Sequence, residues 1–395
     1  MKLNDIAYFV EDKISSENIK LDQYVTTDSL LQNKKGRTFA QNLPPQKCSL
    51  VHFKKGDVLL GNIRPYLKKI WYANIEGGCS QDVLVLRAKN NLESKFLYAL
   101  LMQDSFFDYE MKATKGSKMP RGDKSHIINF PCLDLNNKTE IGKLLSSLDD
   151  KIALNNRINA KLEQMAKRLY DYWFVQFDFP NADGKPYKSN GGKMVWNEEL
   201  KREIPEGWEV GNLYDIAEYV NGLACQNYRP KESEKSLPVI KIREMNEGIT
   251  ADTEKVSASI PGKYRIYAGD ILFSWSASLE IKIWTGETGG LNQHIFKVIP
   301  KGYFSKGYVY QQLSAYLVNF QKMAESRKTT MGHITSDHIK QSRILIPLKE
   351  IISAFNEKTF SIFNYQLSIE KETQKLTALR DRLLPLLMNG QVVVE

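Results

Sequence analysis

Lys112 to Lys124 sets five basic side chains, Lys112, Lys115, Lys118, Arg121 and Lys124, against one acid, Asp123, around Gly116, Ser117, Pro120 and Gly122. Cations on a glycine-broken loop suit phosphate contact, because the backbone can approach closely while the charges displace counterions. Arg327, Lys328, Thr329, Thr330, Met331, Gly332 and His333 form a second such segment, with less charge and more hydroxyl groups able to hydrogen-bond base edges. Two further sets follow Gly-Asp pairs: Asn62, Arg64, Tyr66 and Lys68 after Gly56-Asp57, and Ser274, Trp275, Ser276 and Ser278 after Gly269-Asp270. The expected DNA contacts are therefore Asn62, Arg64, Lys68, Lys115, Ser117, Lys118, Arg121, Lys124, Ser274, Ser276, Ser278, Arg327, Lys328, Thr329, Thr330 and His333. A solvated surface loop is the plainer reading of each segment.

Signatures of catalysis are missing from the sequence. It has no GxGxxG and no Gly-x4-Gly-Lys-Ser/Thr; Gly302 to Gly307 is followed by Tyr308 where a phosphate-binding lysine would stand. Asn42-Leu43-Pro44-Pro45 resembles the Asn-Pro-Pro-aromatic motif of amino-methyltransferases, but Leu43 interrupts it and Gln46 replaces the aromatic, so it reads as a turn. His52, His126, His294, His333 and His338 show no metal-ligand spacing, and Cys48, Cys79, Cys132 and Cys225 form no CxxC pair. No catalytic residue, metal or cofactor is expected. A chain that presents basic loops without chemistry reads as a binding protein.

The elements that would position those loops are written twice. Leu3-Asn4-Asp5-Ile6-Ala7 matches Leu213-Tyr214-Asp215-Ile216-Ala217 at an offset of 210 residues, and Gly56-Asp57 matches Gly269-Asp270 at 213. Lys69-Ile70-Trp71 matches Lys282-Ile283-Trp284, Gln81 matches Gln293, Tyr98 matches Tyr310, and His126-Ile127 matches His338-Ile339. So steady an offset means duplication, and its length excludes a solenoid of short repeats. Each copy opens with short runs rich in Val, Ile, Tyr and Phe between Gly, Pro and Asn, which predicts a small β-rich α/β (α+β) domain.

Each copy then ends in a long helix. Leu145, Ile152, Asn159 and Ala166 recur every seven residues, with Leu148, Asn155, Leu162 and Leu169 between them. Phe355, Ile362, Ile369, Leu376 and Leu383 do the same, with Ile351, Tyr365, Leu379 and Leu386 as the expected partner positions. Heptads sustained this long predict an antiparallel coiled coil, with Asn155 and Asn159 as polar layers that fix its register. Neither helix shows a second apolar stripe in the sequence. The expected order is recognition domain 1 at 1–138, long helix 139–175, a Gly- and Pro-punctuated linker at 176–207, recognition domain 2 at 208–347 and long helix 348–395, an internal pseudo-two-fold repeat.

The chain has 395 residues, 42% hydrophobic and 26% charged, enough for two or three domains, and a composition that excludes wholesale disorder or a collagen-like fibre. A net charge of +9 favours a polyanionic partner. No run of apolar residues is long enough for a membrane span or a signal peptide, which points to the cytoplasm.

Ile141-Gly142-Lys143-Leu144-Leu145-Ser146-Ser147-Leu148-Asp149-Asp150-Lys151-Ile152, running into Leu154-Asn155-Asn156-Arg157-Ile158-Asn159 and Tyr172-Trp173-Phe174, resembles the specificity subunit of a type I DNA restriction-modification system. Ile204-Pro205-Glu206-Gly207-Trp208, Gly269-Asp270-Ile271-Leu272-Phe273-Ser274 and Asn292-Gln293-His294 carry the likeness through nearly the whole chain. The resemblance implies two target-recognition domains separated by two helices that pair antiparallel. It also implies double-stranded DNA as ligand, two methyltransferase (modification) subunits as partners, and restriction (motor/nuclease) subunits in the full adenine methyltransferase/endonuclease complex. Helices of this length, about 55 to 60 Å at 1.5 Å per residue, would act as a ruler between two DNA half-sites. The other reading from the residues alone is a stand-alone, sequence-specific DNA-binding regulator.

Overall fold

The computed structural model describes residues 1–114, 116, 118–276, 278–326 (side chains to 323) and 334–394. The chain divides into two compact units: unit 1 is Met1–Leu154 with Gln374–Glu395, and unit 2 is Asn155–Thr373. The division falls inside both long helices and not at 138 and 347, where the sequence suggested domain ends. Each unit thus contains part of each helix.

Unit 1 is built on four antiparallel strands, β1 (Ala7–Phe9), β2 (Val58–Gly61), β3 (Ile70–Tyr72) and β4 (Val83–Ala88), in the order β1-β4-β2-β3. Unit 2 has the same sheet from β5 (Ala217–Asn221), β6 (Ile271–Ser274), β7 (Glu280–Ile283) and β8 (Ile295–Pro300), in the order β5-β8-β6-β7. A second four-stranded sheet accompanies it in each unit. The repeated Gly-Asp pairs are explained by the turn before β2 and β6. Gly56 and Gly269 take φ of 96° and 94°, a region that a side chain rarely enters. Asp57 and Asp270 then accept a backbone N–H from three residues earlier, at 2.7 Å from Lys54 and 2.9 Å from Tyr267. Each carboxylate also pairs with a cation on the neighbouring strand, Arg87 at 2.7 Å in β4 and Lys297 at 2.9 Å in β8. This motif is architectural.

The helices α1 (Lys138–Tyr170) and α2 (Lys349–Met388) run antiparallel, since partners on α2 descend as positions on α1 rise. In unit 1 Arg380 reaches Asp149 at 2.9 Å. In unit 2 the Asn155 amide donates to Glu372 at 2.8 Å and the Asn159 amide to Glu370 at 3.1 Å. These bonds engage both amides of the polar layers expected to fix register; Asn155 is buried, and Asn159 Oδ1 is buried without a partner among the described residues.

On α1 the expected seam positions Leu145, Leu148, Ile152, Asn155, Asn159, Leu162 and Leu169 lie wholly or partly out of solvent. On α2 Phe355 and Ile369 are buried and Ile362, Leu376, Leu383, Ile351 and Leu386 are half-buried, but two intervening positions, Tyr365 and Leu379, require correction. Leu379 is 45% exposed and Tyr365 52% exposed. The inward residues are one place away: Ile352, Thr359, Gln366, Thr373, Arg380 and Leu387. Thr359 and Thr373 escaped notice because they are polar, yet each hydroxyl is satisfied by the carbonyl four residues back, Phe355 and Ile369, at 2.9 Å. Met165 on the outer face of α1 and Tyr172 in the turn that follows it remain exposed.

Residues 176–207, read from sequence as a linker, pack into unit 2. Asp178 accepts the Ser189 amide at 2.8 Å and its hydroxyl at 2.6 Å, and Met194–Asn197 pairs with Arg202–Pro205 as a hairpin. Phe177, Phe179, Ile204 and Trp208 thereby join the core around Tyr170, Trp173, Phe174, Tyr308 and Phe355.

Candidate nucleic-acid interface

One junction is built in both units, at the end where the second strand of the sheet finishes and the fourth begins. In unit 1 the Asn62 amide donates to the Asp82 carbonyl at 2.9 Å, and the Gly122 amide donates to the Asn62 carbonyl at 3.1 Å. In unit 2 the Trp275 amide donates to the His294 carbonyl at 3.3 Å, and the Ile334 amide donates to the Trp275 carbonyl at 3.0 Å. The backbone frame is the same and the side chains on it are not: Asn62 and Asp82 in one unit, Trp275 and His294 in the other. It stitches the loop after Lys112 to the sheet in unit 1, and Ile334, just past the 327–333 segment, to the sheet in unit 2.

The unit 1 loop is pinned again beside this bond. Arg64 donates its amide to Pro120 at 2.8 Å, and Ile63 bridges Arg121. Arg64 itself holds φ 52° and is exposed, with Tyr66 half-exposed one short turn later. Lys118 and Lys124 are exposed, Lys124 lying 5.4 Å from the Phe9 ring centroid. Arg121 is exposed and forms an ion pair with Asp82 at 3.2 Å. Lys68 is less available than expected: with Lys34 it grips Asp104, each at 2.7 Å. Partial burial opposes ionisation of Asp104, and the two lysines overcome it and hold the carboxyl below its usual range. Lys115, Ser117, Arg327, Lys328, Thr329, Thr330 and His333 lie outside the described residues.

Beneath the unit 1 loop sits Glu110, fully buried, with both carboxyl oxygens and the neighbouring Asn62 Oδ1 lacking a hydrogen-bond partner among the described residues. Burial pushes its carboxyl up to about 8, so it is protonated at neutral pH. A Cβ at Gly122 would stand 2.4 Å from Glu110 Oε1 and 2.9 Å from Asn62 Oδ1, so glycine lets the loop close over them.

In unit 2 two expected contacts are corrected. Ser274 is fully buried, its hydroxyl donating to the Ser278 carbonyl at 2.5 Å and accepting from the Glu280 amide at 3.0 Å. Ser276 is also buried, while Ser278 is exposed. The Ser274 hydroxyl holds the β6–β7 turn through these two backbone bonds. Residues that the sequence reading did not select stand at this junction instead. The Trp275 indole N–H donates to Asn221 Oδ1 at 3.0 Å, and Gln293 Nε2 lies 3.2 Å from His294 Nε2. In the sequence Gln81 and Gln293 stand out as matching positions of the repeat, Gln293 also within Asn292-Gln293-His294, and each is followed by a residue that differs, Asp82 or His294. The repeated histidines belong to the architecture: His126 Nε2 lies 3.0 Å from the Tyr109 carbonyl, and His338 Nδ1 accepts the Thr335 amide at 3.0 Å. Among the described residues no cluster of His, Cys, Asp or Glu could hold a metal ion, and no helix is long and apolar enough to cross a membrane.

The comparisons agree with this doubled construction. The family model of the type I restriction modification DNA specificity domain matches residues 1–164 and again 205–379. The type I restriction enzyme HindI specificity subunit of Haemophilus influenzae is 26% identical, over 93% of this chain and 94% of its own. The MjaIX specificity subunit of Methanocaldococcus jannaschii is 25% identical, over 89% of this chain and 81% of its own. The crystal structure of a type I system S subunit from M. genitalium shares the fold, with a TM-score of 0.55 at 14% identity over 97% of this chain and 94% of that one. With the domain matched twice and each match carrying one sheet-and-loop junction, the chain belongs to the type I restriction-modification DNA specificity family.

Proposed function

We propose that this chain reads a bipartite, asymmetric DNA target, one half-site per unit, and performs no chemistry itself. The observation that carries this reading is the junction built twice on one backbone frame with different side chains, Asn62 and Asp82 against Trp275 and His294. Two copies of one reader with unlike side chains suit two unlike half-sites. The chain would act in the cytoplasm as scaffold for two methyltransferase subunits and, in the full complex, the restriction subunits. Exposed Met165, Phe360 and Tyr365 on the helix segments of unit 2, away from the heptad seam, support docking of such partners there.

The isolated chain is expected to bind DNA weakly and without sequence preference, because each unit offers only a small reading surface. Addition of the system's methyltransferase subunit is expected to produce specific, salt-sensitive binding, read by electrophoretic mobility shift against target and scrambled duplexes. Tight sequence-specific binding by the chain alone would favour a stand-alone regulator.

A further inference from the structure

Arg121 differs from the other cations of the unit 1 loop. Its backbone is pinned on both sides, by Arg64 N–H to Pro120 O at 2.8 Å and by Gly122 N–H to Asn62 O at 3.1 Å, and Ile63 bridges it directly. Its guanidinium Nη2 lies 3.2 Å from Asp82 Oδ1. Asp82 is itself fixed, its carbonyl accepting the Asn62 amide at 2.9 Å and the Thr27 hydroxyl at 3.2 Å. The Arg121 side chain remains 56% exposed, so much of its guanidinium stays open to a ligand.

These features do not suit a phosphate contact. Phosphate attraction gains from an uncompensated charge on a mobile stem, and a neighbouring carboxylate both cancels that charge and repels the DNA backbone. Recognition of a base edge has the opposite needs: a rigid anchor, an orienting partner and a planar fork with donors left over. Guanine presents the two major-groove acceptors, O6 and N7, that such a fork matches. We infer that Arg121, held in place by Asp82, reads a guanine in the half-site bound by unit 1. Unit 2 has His294 at the position of Asp82, and so lacks this carboxylate buttress. The inference rests on the reading of unit 1 as one half-site reader.

The test uses the complex of this chain with its methyltransferase subunit, on the target found by methylome sequencing of a host that expresses both. Each guanine of the duplex is replaced in turn by 7-deazaguanine, which keeps base pairing and removes N7. One substitution in one half-site is expected to weaken binding on the order of 10- to 100-fold for the native complex. R121A, R121K and D82N are expected to bind the unmodified target more weakly, and R121A to be indifferent to 7-deazaguanine at that position while retaining discrimination in the other half-site. R121K is the deciding variant, because lysine keeps the charge and loses the fork. If R121K binds like the native complex, or R121A weakens every duplex equally and lowers the salt slope by about one, Arg121 is a phosphate contact. If R121A changes nothing, it is a surface residue. Specific binding that survives in any of these cases overturns only the Arg121 assignment, whereas a complex that discriminates no sequence overturns the reading beneath it.

Discussion

Replacing Phe355 with alanine is expected to destabilise unit 2 by about 3–5 kcal/mol, the usual cost of removing a buried aromatic ring and leaving its cavity. Phe355 is fully buried, and its ring centroid lies 5.0 Å from Phe174, 5.7 Å from Trp173 and 6.4 Å from Tyr170. These rings come from α1, from the turn that follows it and from α2, so the contact closes the helix pair onto the unit 2 core. For a unit of this size the loss lowers Tm by roughly 6 to 20 °C. Calorimetry of the variant reads it directly, and Phe355→Leu is expected to retain more than half of the stability. A change below about 1 kcal/mol for the alanine variant would show that the ring cluster is not the keystone of that packing.

Glu110 is expected to make unit 1 less stable as pH rises. Its folded carboxyl stands at about 8, raised from 4.5 by burial, so the folded state holds a proton that the unfolded chain has already released. The contribution is therefore full below about pH 4.5, falls as pH climbs, and is lost above about pH 8, a total on the order of a few kcal/mol. Glu110→Gln removes the titration and is expected to flatten the stability of unit 1 between about pH 5 and 9. Urea midpoints across that range decide the matter: equal pH dependence in native and variant chains would mean that Glu110 is solvated or paired when folded. The basic loop of unit 1 is involved because Gly122 closes directly over this carboxyl.

What was legible in the sequence was local or periodic. The duplication appears because matched residues such as Asp57 and Asp270 do the same work in each copy, and the long helices because a heptad survives without tertiary context. On α2 only Tyr365 and Leu379 are misplaced, by one residue, because Gln366 and Arg380, like Thr359 and Thr373, occupy inward positions where apolarity gives no signal. Ser274 and Ser276 looked like base readers by type; only the course of the β6–β7 turn shows that the Ser274 hydroxyl is spent on backbone. The pairing of Asp82 with Arg121 joins residues distant in sequence, and the Gly and Pro of 176–207 outweighed Phe177, Phe179 and Trp208, which draw that segment into the core. Likewise nothing near Leu387 and Met388 announces that the end of α2 packs in the core of unit 1.

One domain exchange tests most directly whether each unit reads one half-site. Residues 1–138 are replaced by the corresponding domain of the Haemophilus influenzae relative, leaving α1, α2 and unit 2's own sheets in place, and the hybrid is expressed with the methyltransferase subunit for methylome sequencing. The expected methylome keeps one half of the native target unchanged and acquires a new second half. Simultaneous change of both halves, or retention of the whole native target, would contradict the assignment of one half-site to each unit.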